Sequence, residues 1–281
     1  MSIEKRLFFL GAGSIAEAMI KGLLTAHLLE AQNITASCHQ RVEHLQELSA
    51  TYGVRMSREK EAAIAEADII LLAVKPYNIV AALEEVAHAI SARHVVISLV
   101  AGVTTEVIES YLPAEVPVLR AMPNTSSFVQ QSATALSRGR WATGAHLELG
   151  QLLFSAIGTS VIVDESLLNA VTGLSGSGPA YFYYIVEALL QAGVECGLSE
   201  ETSRALLLQT LTGAAQMLKE TGKSPVELRR QVTSPNGTTM AGIAVLEQGN
   251  VRQMLIQAAK RATQRAEEMG RETQPHSSLR S

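Results

Sequence analysis

Leu7-Phe8-Phe9-Leu10 runs straight into Gly11-Ala12-Gly13-Ser14-Ile15-Ala16, and this junction restricts the possible fold more than any other feature of the chain. A short apolar run with no polar alternation reads as a strand covered on both faces. Two glycines directly after it predict a tight turn, and helical spacing through His27 predicts a helix that opens on that turn. Further β-rich runs follow at 34–38, 69–74, 95–98 and 116–121, separated by helix-like segments. That alternation predicts a Rossmann-type α/β domain over 1–164, a parallel sheet covered by helices. Two more runs, 132–137 and 159–163, flank a helical stretch at 145–157 and extend the sheet at its far edge.

After Asp164 the β signal stops. The segments 179–196, 200–220, 225–232, 239–248 and 251–269 all carry helical spacing, which predicts an all-α C-terminal domain over 165–281 ending in a flexible polar tail from Arg271. These helices are unusually apolar, as in Ala205-Leu-Leu-Leu-Gln-Thr-Leu-Thr-Gly-Ala-Ala-Gln-Met-Leu218. A helix that is apolar nearly all round must be buried against neighbours or against a second subunit.

Charge narrows the partner class. With 27 acidic and 23 basic residues the net charge is −4, so no basic face for nucleic acid is expected and a small molecule is favoured. Cys38 and Cys196 are the only cysteines; they offer no disulfide framework and no metal-ligand spacing, which fits a reducing cytoplasm and no metal. Lys5-Arg6 precedes an apolar run, but Gly11, Gly13 and Glu17 break it too early for a targeting segment. The longest uncharged stretch, 166–186, is interrupted by Gly173, Gly176, Gly178 and Pro179, a poor membrane span.

The glycine turn has the context of a dinucleotide site. Gly11 permits the tight turn, Gly13 the close approach of a pyrophosphate, and Ala16 the packing of helix on strand. An NAD site usually carries an acid at the end of the second strand; here the chain reads Ser37-Cys38-His39-Gln40-Arg41. No carboxylate is present to repel a 2′-phosphate, and Arg41 with the Ser37 hydroxyl can receive one, so NADPH is the expected carrier and NADH the second. Arg41 reads equally as a solvated helix residue. Ala73-Val-Lys-Pro76 and Ala121-Met-Pro-Asn124 end later strands, which puts Lys75 and Asn124 where a nicotinamide would lie. Strand ends are also ordinary turns.

A second chemical feature is Val232-Thr-Ser-Pro-Asn-Gly-Thr-Thr-Met240, hydroxyl side chains and a turn placed directly before a helix. The first N–H groups of a helix lack internal partners and favour a carboxylate or phosphate. Ser234, Thr238 and Thr239 either address a small acid there or simply cap the helix. No His, Cys or Tyr stands near them in an acid–base setting. That favours an imine over a ketone, because an imine nitrogen takes its proton near neutral pH.

The run from Pro225 to Glu247 resembles the signature of the pyrroline-5-carboxylate reductase family. Gly11-Ala-Gly-Ser-Ile-Ala-Glu-Ala-Met19, Ala73-Val-Lys-Pro76, Arg120-Ala-Met-Pro-Asn-Thr125 and Leu174-Ser-Gly-Ser-Gly-Pro-Ala-Tyr181 resemble it in the same order, over nearly the whole chain. The resemblance implies a helical substrate-binding and dimerisation domain. It implies NAD(P)H-dependent reduction of 1-pyrroline-5-carboxylate to L-proline, an oxidoreductase acting on CH–NH. It further implies a homodimer through the helical domain, with a decamer of dimers as the larger assembly.

Carried over by motif, Thr239 bonds the ring nitrogen, while Ser234 and the amides of Gly237, Thr238 and Thr239 hold the carboxylate. Gly11, Gly13, Ser14, Ile15, Val74, Lys75 and Asn124 then contact the cofactor, with Ser37, Arg41 and Lys60 on its adenosine side. Two positions depart from the family pattern: Lys60 stands where Asn is common, and Asn236-Gly237 where Gly-Gly is common. The rivals are a β-hydroxyacid dehydrogenase-like oxidoreductase and a non-catalytic NADPH-binding regulator. The first would need a catalytic lysine from Lys219, Lys223 or Lys260.

Overall fold

The computed structural model describes residues 3–38 and 42–272. It divides into two compact units: one runs to Ser177 and resumes at Lys260, and the other is Gly178–Ala259.

The first unit is built on an eight-stranded sheet. Its strands are β1 (Leu7–Leu10), β2 (Ile34–Ser37), β3 (Arg55–Met56), β4 (Ile69–Leu72), β5 (Val95–Ser98), β6 (Val118–Met122), β7 (Ser132–Arg138) and β8 (Gly158–Ile162), in the order β3-β2-β1-β4-β5-β6-β7-β8. Every residue of β1 and β4 is buried, as a strand covered on both faces requires. Side chains alternate between two cores: Leu7, Phe9, Ile69 and Leu71 face one way, and Phe8, Leu10, Ile70 and Leu72 the other. Helix α1 (Ser14–Thr25) closes the first core with Met19, Ile20 and Leu23. After α2 (Val42–Tyr52) and α3 (Lys60–Glu66), α4 (Ile79–Val86) and α5 (Thr105–Tyr111) close the second with Ile79, Leu83 and Ile108.

Two details depart from the expected parallel sheet and its list of strands. Strand β7 pairs antiparallel with β6, because the stretch between Met122 and Ser132 is too short for a crossover back to the start of the sheet. Helix α6 (Gly144–Ser155) provides that length, and β8 returns parallel to β7. Strand β3 is two residues long with both side chains exposed, so no apolar alternation announces it. Next come α7 (Leu168–Val171) and one π-helical turn, Thr172–Gly176, in which Ser177 N–H donates to Thr172 O at 2.8 Å.

The helical unit holds α8 (Gly178–Glu195), α9 (Glu200–Thr221), α10 (Pro225–Gln231), α11 (Thr238–Gln248) and the start of α12 (Val251–Glu272), so no strand interrupts the expected run of helices. In this single chain Ser203 is the one buried side chain of that unit, while Phe182, Tyr184, Leu206 and Val245 are 57%, 74%, 57% and 67% exposed. The end of α12 returns to the first unit. Ala266 is buried there, and a Cβ on Gly102 would stand 3.0 Å from the Gly270 nitrogen, so the two backbones are in contact. No helix among the described residues is long and apolar enough to cross a membrane.

Candidate active site

In the first unit the strand order reverses between β1 and β4, the switch point at which such sheets bind ligands. Gly11 makes the turn with φ of +110°, and a Cβ there would lie 2.6 Å from the Ala73 carbonyl oxygen. Only glycine suits both conditions. Gly13 is the N-cap of α1, and among the described residues no side chain caps that helix and no atom beyond its own chain neighbours lies within 4 Å of where a Gly13 Cβ would stand. Ser14 and Ile15 form the first helical turn, whose N–H groups have no partner within the helix, a cradle that fits a pyrophosphate.

A cleft of about 160 Å³ lies beside this turn, bordered by Gly11, Ser37, Cys38, Lys60 and Val74. The Ser37 side chain is buried and its hydroxyl donates to Phe9 O at 3.3 Å, so it points into the sheet. Lys60 begins α3, and its ammonium is bonded to Glu85 of α4. Helix α3 is held at its other end by Arg93, which donates to Ala65 O at 2.6 Å and Ala67 O at 3.2 Å, and by His94, whose Nε2 lies 3.1 Å from Ile64 O. Arg41 lies outside the described residues.

Lys75 is exposed just after β4, as is Tyr77 two residues further on. Asn124 follows β6, and its amide is occupied at both ends: Nδ2 donates to Ser175 O at 3.1 Å and Oδ1 accepts from Ser126 N–H at 3.1 Å. Asn124 thus ties the strand end to the π-helical turn. Four residues earlier, Arg120 is 3% exposed and donates to Glu165 Oε1 at 3.3 Å. The same carboxylate accepts from Thr105 N–H at 2.7 Å and from its hydroxyl at 2.5 Å. Burial holds the Arg120 guanidinium below its ordinary pKa, and Glu165 works against that shift. This cluster pins the segment leading into the π turn. An arginine inside the apolar strand Val118-Leu-Arg-Ala was the available signal for it, and sequence reasoning did not use it.

In the helical unit, Ser234-Pro-Asn-Gly237 forms a turn closed by Gly237 N–H donating to Ser234 O at 3.1 Å. The left-handed residue is Asn236, with φ of +59°, a conformation Asn tolerates. Because the Gly237 N–H closes the turn, it is not directed at a ligand; the amides of Thr238 and Thr239 are the ones left at the start of α11. A Cβ on Gly237 would run into Ser234 Oγ, so the absence of a side chain lets that hydroxyl stand against the helix entrance. Ser234, Thr238 and Thr239 are exposed, and among the described residues no side chain caps α11. By contrast, α10 has a full capping box, Ser224 with Glu227. The capping alternative for the three hydroxyls therefore has no hydrogen bond behind it. Lys219, Lys223 and Lys260 are exposed, and Lys223 Nζ donates to Gln231 at 3.4 Å, which gives the dehydrogenase-like alternative no buried lysine.

The family described as pyrroline-5-carboxylate reductase dimerisation matches residues 165–269, and that described as coenzyme F420-dependent NADP oxidoreductase matches residues 6–102. The chain is 40% identical over 266 residues to pyrroline-5-carboxylate reductase 1 of Bacillus subtilis, covering 95% of this chain and 90% of that one. Among solved structures it is similar to a pyrroline-5-carboxylate reductase from Coxiella burnetii, with a TM-score of 0.87, 36% identity and coverage of 95% and 99%. It is also similar to the Plasmodium falciparum pyrroline carboxylate reductase solved with NADP bound, with a TM-score of 0.86, 25% identity and coverage of 95% and 98%.

Proposed function

The chain belongs to the pyrroline-5-carboxylate reductase family, and from that premise we propose how its residues carry the reaction. The protein is an NADP-dependent oxidoreductase that reduces 1-pyrroline-5-carboxylate to L-proline, the last step of proline synthesis. We assign 1–164 to the cofactor and 165–281 to substrate and dimerisation. The supporting observation is the uncapped entrance of α11, where the first amides, Thr238 and Thr239, lack helix partners and the Ser234 hydroxyl stands against Gly237 just before them.

When bound, the nicotinamide supplies a hydride to the imine carbon, so that C=N becomes CH–NH and NADPH becomes NADP⁺. The chain contributes position and charge. The Thr238 and Thr239 amides and the Ser234 hydroxyl hold the carboxylate, and the Thr239 hydroxyl accepts from the protonated ring nitrogen. An iminium needs no further protonation for hydride addition, which agrees with an entrance built from the hydroxyls of Ser234, Thr238 and Thr239. On the cofactor side we assign the pyrophosphate to Gly11, Gly13, Ser14 and Ile15, the nicotinamide end to Val74, Lys75 and Asn124, and the adenosine end to Ser37, Arg41 and Lys60.

The protein is a homo-oligomer, and we place the dimer contact on the apolar faces of α8 and α9, with larger assemblies up to a decamer of dimers built on it. A reducing cytoplasm suits the two free cysteines, Cys38 and Cys196. The direct test is NADPH oxidation by the purified protein with pyrroline-5-carboxylate, with proline identified as product. No turnover with either nicotinamide carrier at neutral pH would refute the assignment and leave the non-catalytic reading.

A further inference from the structure

Of the described residues lining the cleft beside β2, Lys60 is the one cation and Glu85 the one acid, and they are bonded to each other. The Lys60 ammonium donates to both Glu85 oxygens, at 2.7 and 2.5 Å, and its side chain is 13% exposed against 52% for Glu85. The pair spans the start of α3 and the last turns of α4, over a cleft bordered also by Ser37 and Cys38 at the end of β2. In a Rossmann sheet that strand end receives the adenosine ribose, and an acid there ordinarily favours a 2′-hydroxyl over a 2′-phosphate. Strand β2 offers no acid at Ser37 or Cys38. The carboxylate in this cleft comes instead from α4.

A 2′-phosphate and the Glu85 carboxylate would compete for one ammonium. Lysine is a compact point charge with three donors, so both anions can use it only by lying close together, which like charges oppose in a partly desolvated cleft. A 2′-hydroxyl carries no such conflict, because it can donate to Glu85 while the ion pair stays intact.

We propose that Glu85 is a specificity-determining residue: it restrains Lys60 and sets how strongly this enzyme prefers NADPH over NADH. The proposal rests on the reductase reading, with the adenosine end of the cofactor in this cleft. Lys60 attracts the 2′-phosphate, and Glu85 limits that attraction, so the two residues move the preference in opposite directions.

The experiment is equilibrium binding of NADPH and of NADH, followed by nicotinamide fluorescence, to the full-length wild type, Glu85→Gln and Lys60→Met, with 2′,5′-ADP as competitor to isolate the adenosine end. Glu85→Gln keeps the size and an acceptor for Lys60 while removing the charge. It should tighten NADPH and 2′,5′-ADP on the order of fivefold to tenfold and leave NADH within about twofold. Lys60→Met should weaken NADPH by a similar factor with little change for NADH. A pair that only braces α3 against α4 would lower the melting temperature and leave the NADPH-to-NADH ratio alone. A ratio within twofold of wild type in Glu85→Gln, or weaker NADPH binding in that variant, overturns the proposal while the reductase reading stands. A wild type that binds neither dinucleotide overturns both.

Discussion

Gly237→Ala tests the geometry of the α11 entrance with one methyl group. The backbone at Gly237 has φ −82° and ψ 167°, an extended conformation open to alanine, so the substitution introduces no strain in the main chain. Its Cβ would, however, collide with Ser234 Oγ and lie 3.2 Å from Ser234 O. Ser234 is exposed, so its hydroxyl can swing away, and the entrance then loses one donor. A hydrogen bond to a charged group contributes about 1.5–3 kcal/mol, and about 1.4 kcal/mol is a factor of ten. The KM for the imine should therefore rise by roughly ten- to a hundredfold. Loss of glycine at an N-cap costs only on the order of 1 kcal/mol of stability, so the protein should stay folded. Steady-state kinetics at saturating NADPH, alongside thermal melts, separates the two effects. Ser234→Ala should give the same KM, and the double variant should be no worse than the more impaired single one, because both remove the same bond. A folded Gly237→Ala enzyme with wild-type KM, or additive losses in the double variant, would refute the reasoning.

Three further outcomes are expected. Thr239→Ala should lower turnover by on the order of tenfold to a hundredfold with the fold intact, as for loss of one positioned hydrogen bond to a reacting group, and Thr239→Ser should be milder; full activity with a lower melting temperature would reduce the hydroxyl to a structural role. Leu206, 57% exposed in the single chain, should be covered in the dimer, so Leu206→Glu should dissociate or unfold the protein in light scattering; a folded, fully active wild-type monomer at low micromolar concentration would contradict this. The third concerns pH. His94 is 1% exposed and accepts from Ser91 N–H at 2.9 Å, and burial, aided by Arg93, holds its pKa below the ordinary value. Its folded pKa is therefore lower than the unfolded value of about 6.5, so its contribution to stability is fully present above that pH and declines as pH falls toward the folded pKa. Melting temperatures of wild type and His94→Gln should converge as the pH drops below about 6.5, and a constant gap would exclude the histidine as the cause.

What could be read in advance divides by physical cause. The buried strands β1, β4 and β5 and the long helices were legible because unbroken apolar runs and helical spacing are local signals. Strand β3 was not, since Arg55 and Met56 are both exposed and owe their pairing to β2 rather than to their own side chains. The reversal of β7 follows from connection length, which apolar pattern does not encode. The turn before α11 announced itself through Ser234, Asn236 and Gly237, yet the use of the Gly237 N–H inside that turn depends on the geometry of the turn. Glu85 gave no sign at all. An acid on a helix has no distinguishing context until α3 brings Lys60 opposite it.

The contact between Gly102 and Gly270 sets an order of events during synthesis. Chains fold largely from the N-terminus as they leave the ribosome, at about 5–20 residues per second. The sheet strands are all complete before Ser177, but the helix that covers Gly102 is made only after the whole Gly178–Ala259 segment has emerged. For roughly five to twenty seconds at those rates, the nascent sheet domain must wait with that patch open. A ribosome stalled within the helical unit would hold a domain that has every strand it needs and still lacks its final piece.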